Sequence, residues 1–168
     1  GFLYSPLVIT GLHHMTNAID LQLMSEFGGT NLWPMIALSN IAQGSAVLAI
    51  IFLNKKNEEE KQISIPATIS AYLGVTEPAM FGINLKYSYP FLGAMIGSAL
   101  ASIFSVGTGV MANSIGVGGL PGILSIQPQH MGKFAIAMLI AIVVPFGLTM
   151  ILSKNKKWAN KELAKHKG

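Results

Sequence analysis

The stretch Phe134-Ala135-Ile136-Ala137-Met138-Leu139-Ile140-Ala141-Ile142-Val143-Val144-Pro145-Phe146-Gly147-Leu148-Thr149-Met150-Ile151-Leu152 carries no charge. Wound as an α-helix at about 1.5 Å per residue, it comes close to the roughly 30 Å thickness of a bilayer's hydrocarbon core. A second stretch, Met35 to Leu53, has the same length, and lysines follow each of the two within a few positions. Formal charge is absent from Phe27 to Leu53, from Tyr87 to Gly132 and from Phe134 to Ser153. Of the 168 residues 51% are hydrophobic and 11% are charged, where a soluble domain carries about 25% charged residues. The mean hydropathy is +0.54. This is the composition of an integral membrane protein, all-α and polytopic.

A third span is expected within Phe91 to Asn113, a run rich in Gly, Ala and Ser. Gly93, Gly97 and Ala101 recur every fourth residue, which lets a neighbouring helix approach closely. Pro145 interrupts the last span and is expected to kink it. Three further segments are apolar but broken by polar residues: Leu7 to Met24, Ile65 to Leu85 and Gly107 to Gln129. An unpaired backbone group in hydrocarbon costs several kcal/mol, so such segments must be buried in protein or line a watery cavity. Broken segments of this kind are where transporters bind their substrates.

Lysine placement fixes a topology. With Lys55, Lys56 and Lys61 cytoplasmic, and the tail lysines Lys154, Lys156, Lys157, Lys161, Lys165 and Lys167 cytoplasmic as well, an even number of crossings must separate them. The spans Phe91 to Asn113 and Phe134 to Leu152 supply two, so Ile63 to Pro90 must enter and leave on one side as a re-entrant hairpin. The polar-broken amino-terminal segment forms a second hairpin from the opposite face. The expected architecture is therefore about three transmembrane helices plus two re-entrant hairpins. Residues 1–153 form the membrane part and 154–168 a Lys-rich cytoplasmic tail. The chain opens on Gly1 in apolar sequence, without an initiator Met or a signal peptide, and is read as a carboxy-terminal fragment.

Other classes are excluded on residue type. Cysteine is absent, which removes disulfides and thiolate chemistry from this chain. All eleven basic residues are lysines, and they flank apolar spans instead of forming an aromatic-interleaved basic face. They anchor the chain at the membrane surface and do not read nucleic acid. Gly107-Thr108-Gly109-Val110-Met111-Ala112 matches a dinucleotide fingerprint only formally, with no strand before it. Gly116 to Gly122 lacks the Lys-Ser/Thr of a triphosphate loop, and no Gly-x-Ser-x-Gly elbow occurs.

Glu77 stands out, because an ionisable carboxylate inside an apolar stretch costs at least about 2.5 kcal/mol and marks function by default. Pro78 disfavours helix at Glu77 and Gly74 permits a tight turn, so the carboxylate is expected at a break. His13 and His14 follow. Adjacent helical residues diverge by about 100°, so only one of the two can face a given ligand. No metal-ligand spacing is present. A hydrogen-bonding histidine in a broken segment suits a hydroxylated ligand as donor, acceptor or base. Two other classes also fit these residues. One is an ion-coupled secondary transporter in which Glu77 and Asp20 bind a cation or proton; the other is a structural anchor whose tail docks a cytoplasmic partner.

Three motifs carry a family resemblance: Gly11-Leu12-His13-His14, the run Trp33-Pro34-Met35-Ile36-Ala37-Leu38-Ser39-Asn40-Ile41-Ala42-Gln43-Gly44, and Gly74-Val75-Thr76-Glu77-Pro78-Ala79-Met80-Phe81-Gly82-Ile83-Asn84-Leu85-Lys86. Together they resemble the IIC membrane subunits of the bacterial sugar phosphotransferase system, glucose-glucoside superfamily. The last motif departs from the family's Gly-Ile-Thr-Glu-Pro signature only at Val75. Within the family, Leu21 to Met24 and Gly118 to Gln127 look most like the trehalose permeases; sucrose, maltose and β-glucoside permeases are the near alternatives.

The resemblance implies group translocation across the bacterial cytoplasmic membrane, with no cofactor. A disaccharide is carried inward and phosphorylated on a C6 hydroxyl by a phosphocysteine on a IIB domain, itself supplied by IIA and the phosphocarrier protein. The lack of cysteine fits a phosphoryl carrier outside this chain. By resemblance, Glu77 and either His13 or His14 act on the sugar, Thr76 contributes a hydroxyl or backbone contact, and Asn84 and Asn17 line the site. The resemblance also implies a homodimer built by an amino-terminal half and seated among membrane lipids, with the carboxy terminus cytoplasmic.

Overall fold

The computed structural model describes residues 2–12, 14–55, 57–116 and 118–165, with side chains described as far as residue 155. Two short helices open the chain, α1 (Tyr4–Ile9) and α2 (His14–Phe27). The first span, α3 (Leu32–Leu53), follows. Next come α4 (Glu58–Tyr72), the single turn α5 (Glu77–Ala79), a π-turn over Met80–Asn84 and the turn α6 (Leu85–Tyr87). The second span is α7 (Tyr89–Gly107). A loop with 3₁₀ turns at Leu120–Ser125 and Pro128–His130 leads into α8 (Met131–Lys165). Three helices are long and apolar enough to cross a membrane: Leu32–Leu53, Tyr89–Gly107 and Pro128–Asn155. Among the described residues no strand forms; only isolated bridges join Thr30 to Ala112 and Ala112 to Ile126.

The centre of the bundle is α3. Its Leu38 and Ile41 pack with Ala101 of α7, Phe134, Ala137 and Ala141 of α8, and Val110, Ala112 and Ile126 of the long loop. Lower on the same helix, Val47 and Ile50 meet Ala67 and Ala71 of α4 and then Ala79 and Ile83 of the limb that returns from it. The small-residue stripe of α7 works as its spacing predicts. A Cβ added at Gly97 would fall inside the ring of Pro145, and one at Gly93 would come within 2.8 Å of Thr149 Oγ1. Pro145 thus lies within one continuous helix and fills the groove that the glycines leave open.

The segment between α3 and α7 is a hairpin that enters and leaves on one side. Asn57 caps α4, its side-chain oxygen accepting the Glu60 N–H at 3.2 Å, and Glu58, Glu59 and Glu60 occupy the first turn, where acidic charge complements the helix dipole. At its far end α4 stops on Gly74, at φ 102°. The Val75 N–H reaches back to Ser70 O and the Gly74 N–H to Ala71 O, the Schellman arrangement that only a left-handed residue closes. The chain then doubles back until the Tyr87 hydroxyl donates to Glu60 Oε1, while Asn54 Nδ2 donates to Glu60 Oε2 at 2.6 Å. Both ends of the hairpin and the end of α3 are therefore clamped on one carboxylate.

One boundary differs from the sequence reading. The span expected to run to Asn113 ends at Gly107. Thr108 Oγ1 turns back onto Phe104 O at 2.8 Å, and Gly109 at φ 72° completes a second Schellman closure through Val110 N–H to Ser105 O. The apolar residues beyond belong to the loop that packs under α3. Helix α8 continues without interruption as far as Lys165.

Candidate functional site

Five separate segments wall one cavity of about 340 Å³. Tyr4 comes from α1, His14 and Asn17 from α2, Trp33, Ile36 and Asn40 from α3, Leu73, Gly74 and Val75 from the hairpin tip, and Gly116 and Gly118 from the long loop. The volume lies at the lower end of the roughly 300–1,000 Å³ typical of small-molecule sites. His14 and Asn17 stand three residues apart, which places them on one face of α2. The wall combines flat aromatic rings with hydroxyl, amide and imidazole groups. Such a surface offers stacking faces to an apolar ring surface and hydrogen bonds to hydroxyls around its edge.

Side chains from distant helices hold the walls in register. Asn40 Nδ2 donates to the Gly74 carbonyl at 3.2 Å, tying α3 to the hairpin tip. The glycine-rich loop closes onto the same point through its backbone. A Cβ at Gly118 would collide with the Asn40 amide, and one at Gly119 would fall on the Tyr72 carbonyl. Outside the wall, Asp20 is fully buried and serves the start of α3: Oδ1 accepts from Thr30 Oγ1 at 2.5 Å, and the carboxylate also accepts the Trp33 backbone N–H. Thr30 Oγ1 in turn accepts the Leu32 N–H at 3.1 Å. A carboxylate at a helix N-terminus satisfies donors that have no intrahelical partner, and here it sets the orientation of Trp33.

Of the residues singled out from sequence, the structure brings His14, Asn17 and the Thr76–Glu77 turn to one end of the bundle. Thr76 is buried and Glu77 exposed, directly after the Gly74–Val75 wall. The charges of Glu77 and Asp20 both act on the Tyr4 hydroxyl in the cavity wall. His13 lies outside the described residues. Asn84 is not in the wall. It is fully buried against α3, its amide nitrogen donating to Gln43 Oε1 at 2.6 Å. Tyr4, Trp33 and Asn40 were not picked out as wall residues from sequence. For Asn40 a signal existed, a polar amide within an apolar span, which is a functional flag in its own right. Among the described residues no three His, Asp or Glu side chains converge as a metal centre.

Among the described residues, three helices long and apolar enough to cross a bilayer, a helical hairpin and a polar, aromatic-walled cavity define a helical membrane protein. Residues 1–98 match the family model "Phosphotransferase system, EIIC". The chain is 63% identical over 156 residues to the trehalose-specific EIIBC component of the phosphotransferase system of Escherichia coli (strain K12), covering 93% of this chain and 33% of the relative. It is 55% identical to the trehalose-specific EIIBC component of Bacillus subtilis (strain 168), with the same coverage of 93% and 33%. Against the sucrose-specific EIIBC component of Pasteurella multocida (strain Pm70) identity is 46%, over 92% of this chain and 33% of the relative. No solved structure matches. The chain belongs to the EIIC family of the sugar phosphotransferase system, and it spans about a third of the length of the curated relatives it matches.

Proposed function

We propose that this chain is the substrate-binding part of a trehalose permease that couples uptake to phosphorylation. The observation that carries the reading is the cavity, which joins His14 and Asn17 to Leu73, Gly74 and Val75, the residues that run directly into Thr76 and Glu77, in a volume suited to a small polar ligand. The higher identity to trehalose-specific than to sucrose-specific relatives supports trehalose over sucrose. In this reading Glu77 accepts hydrogen bonds from sugar hydroxyls, the charge-assisted kind that orients a polyol strongly. Thr76 adds a hydroxyl or backbone contact, and Asn17 and Asn40 complete the polar edge. His14 or His13 takes the proton of the C6 hydroxyl as its oxygen attacks phosphorus. The phosphorus–sulfur bond of a IIB phosphocysteine breaks, and the thiolate leaves. Because this chain has no cysteine, the phosphoryl group arrives from IIB, charged through IIA and the phosphocarrier protein. The assembly sits in the bacterial cytoplasmic membrane among its lipids, as a homodimer when full length, with the lysine-rich residues 154–168 on the cytoplasmic side.

The test is uptake of labelled trehalose and sucrose into vesicles bearing the full-length protein, with phosphoenolpyruvate and the soluble phosphotransfer proteins supplied or withheld. Trehalose 6-phosphate accumulating only with the phosphoryl supply, and lost in Glu77→Gln at unchanged membrane insertion, is the expected result. Free sugar following an ion gradient would overturn it.

A further inference from the structure

The limb that carries Glu77 breaks helical register just beyond it. After the single turn of α5, residues Met80–Asn84 wind as a π-turn. Such a turn admits one extra residue, so side chains beyond it are rotated by about 100° from where an unbroken α-helix would put them. The rotation brings Asn84 onto α3. Its Nδ2 donates to Gln43 Oε1 at 2.6 Å and to the Gln43 carbonyl at 3.1 Å. Gln43 Nε2 donates in turn to Ser5 Oγ at 2.8 Å, and Ser5 Oγ lies 3.4 Å from Ser39 Oγ. Ser5 and Asn84 are 0% exposed, Gln43 and Ser39 1%.

Two amides and two hydroxyls in the middle of an apolar bundle are a costly way to join helices that aliphatic side chains would also join. What they supply is direction, because an amide hydrogen bond fixes register and angle where an apolar contact tolerates sliding. The positions joined are informative. Gln43 lies three residues beyond Asn40, on the same face of α3. Asn40 holds the chain at Gly74 and Gln43 holds it at Asn84, one on each side of Glu77. Through Ser5, Gln43 also holds the helix that carries Tyr4 in the cavity wall.

We propose that Gln43 is a positioning residue of the sugar site, fixing the Glu77 limb through Asn84 and the Tyr4 helix through Ser5. The proposal rests on Glu77 and the cavity being that site, and the test separates the two. In the full-length protein, initial rates of phosphoenolpyruvate-driven trehalose phosphorylation are measured alongside the amount of protein inserted. Gln43→Leu is expected to raise KM by about tenfold or more with kcat little changed, the signature of a misplaced binding group. Asn84→Asp, which keeps the size but removes the donor, is expected to do the same. The double variant is expected to be no worse than Gln43→Leu alone, because Gln43→Leu already breaks the link to Asn84. Gln43→Glu, which still accepts from Asn84, is expected to recover most of the loss.

A purely structural role would lower the amount inserted and leave KM unchanged. Wild-type KM in inserted Gln43→Leu, or additive effects in the double variant, would overturn the proposal; if Gln43→Leu does not accumulate, Asn84→Asp is read by the same criterion. Glu77→Gln runs in parallel. Unchanged KM there removes the site reading itself, whereas a raised KM there beside a wild-type KM in the Gln43 and Asn84 variants removes only the positioning role.

Discussion

Helices α3 and α8 are both long enough to cross a bilayer, yet they occupy opposite places in the bundle. The most apolar window of α3 is 78% buried inside the protein and that of α8 only 22%, although α8 is the more hydrophobic, with mean hydropathy 2.6 against 1.9. The order is the reverse of that in water. A helix facing lipid on most of its surface must be apolar there, whereas a helix surrounded by other helices can hold Ser39, Asn40, Gln43 and Ser45, all buried and each with a hydrogen bond. On α8 the exposed side chains Ile136, Leu139 and Val143 recur at helical spacing and mark a face free of internal packing. In a membrane, polar residues point to the centre, and the greasiest helix is the outermost.

The contrast is open to direct attack. Leu38→Ala, at a 0% exposed position of α3 in the main core, is expected to cost about 2–5 kcal/mol of stability, read as a lower unfolding midpoint of the full-length protein in detergent. Gly97→Ala forces a methyl group into Pro145 at the contact between α7 and α8, with an expected cost of about 1–3 kcal/mol in the same measurement.

The hairpin base responds to alkali. Burial, with the Glu60 carboxylate beside it, pushes the Tyr87 hydroxyl up to about 12 from the usual 10. A raised folded-state value means that the clamp is intact below pH 10 and lost as pH rises toward 12. The midpoint should therefore fall more steeply over that window in the wild type than in Tyr87→Phe. Equal slopes would remove the clamp from the account. The smallest effect is expected for Leu139→Ala on the outer face of α8, within about 0.5 kcal/mol of zero. A large loss there would mean that this face is packed in the full-length protein.

The spans were legible because hydrocarbon tolerates so little charge. The Gly93/Gly97/Ala101 stripe was also legible, since spacing by four has one geometric meaning on a helix. Asn84 was not. It was expected in the site by resemblance alone, and the π-turn that sets it against Gln43 of α3 has no signature in composition. Nor was the end of α7, where apolar sequence continues past Gly107 and the stop is made by a hydroxyl and a left-handed glycine. Tyr4, Trp33 and Asn40 escaped for a different reason. The cavity draws on segments as far apart as residues 4 and 118, and no local pattern records which faces of distant segments will meet.

The joint between the glycine-rich loop and the hairpin tip is made of main chain: Gly118 against Gly74, and Gly119 against the Tyr72 carbonyl. A seam of main chain does not depend on which side chains surround it. The wall at Tyr4, Asn17, Ile36 and Val75 can therefore be rewritten one residue at a time while the frame that carries it keeps its shape. A scaffold of that kind is well suited to diversification, and a library aimed at altered ligand choice should randomise those four positions and leave the seam intact.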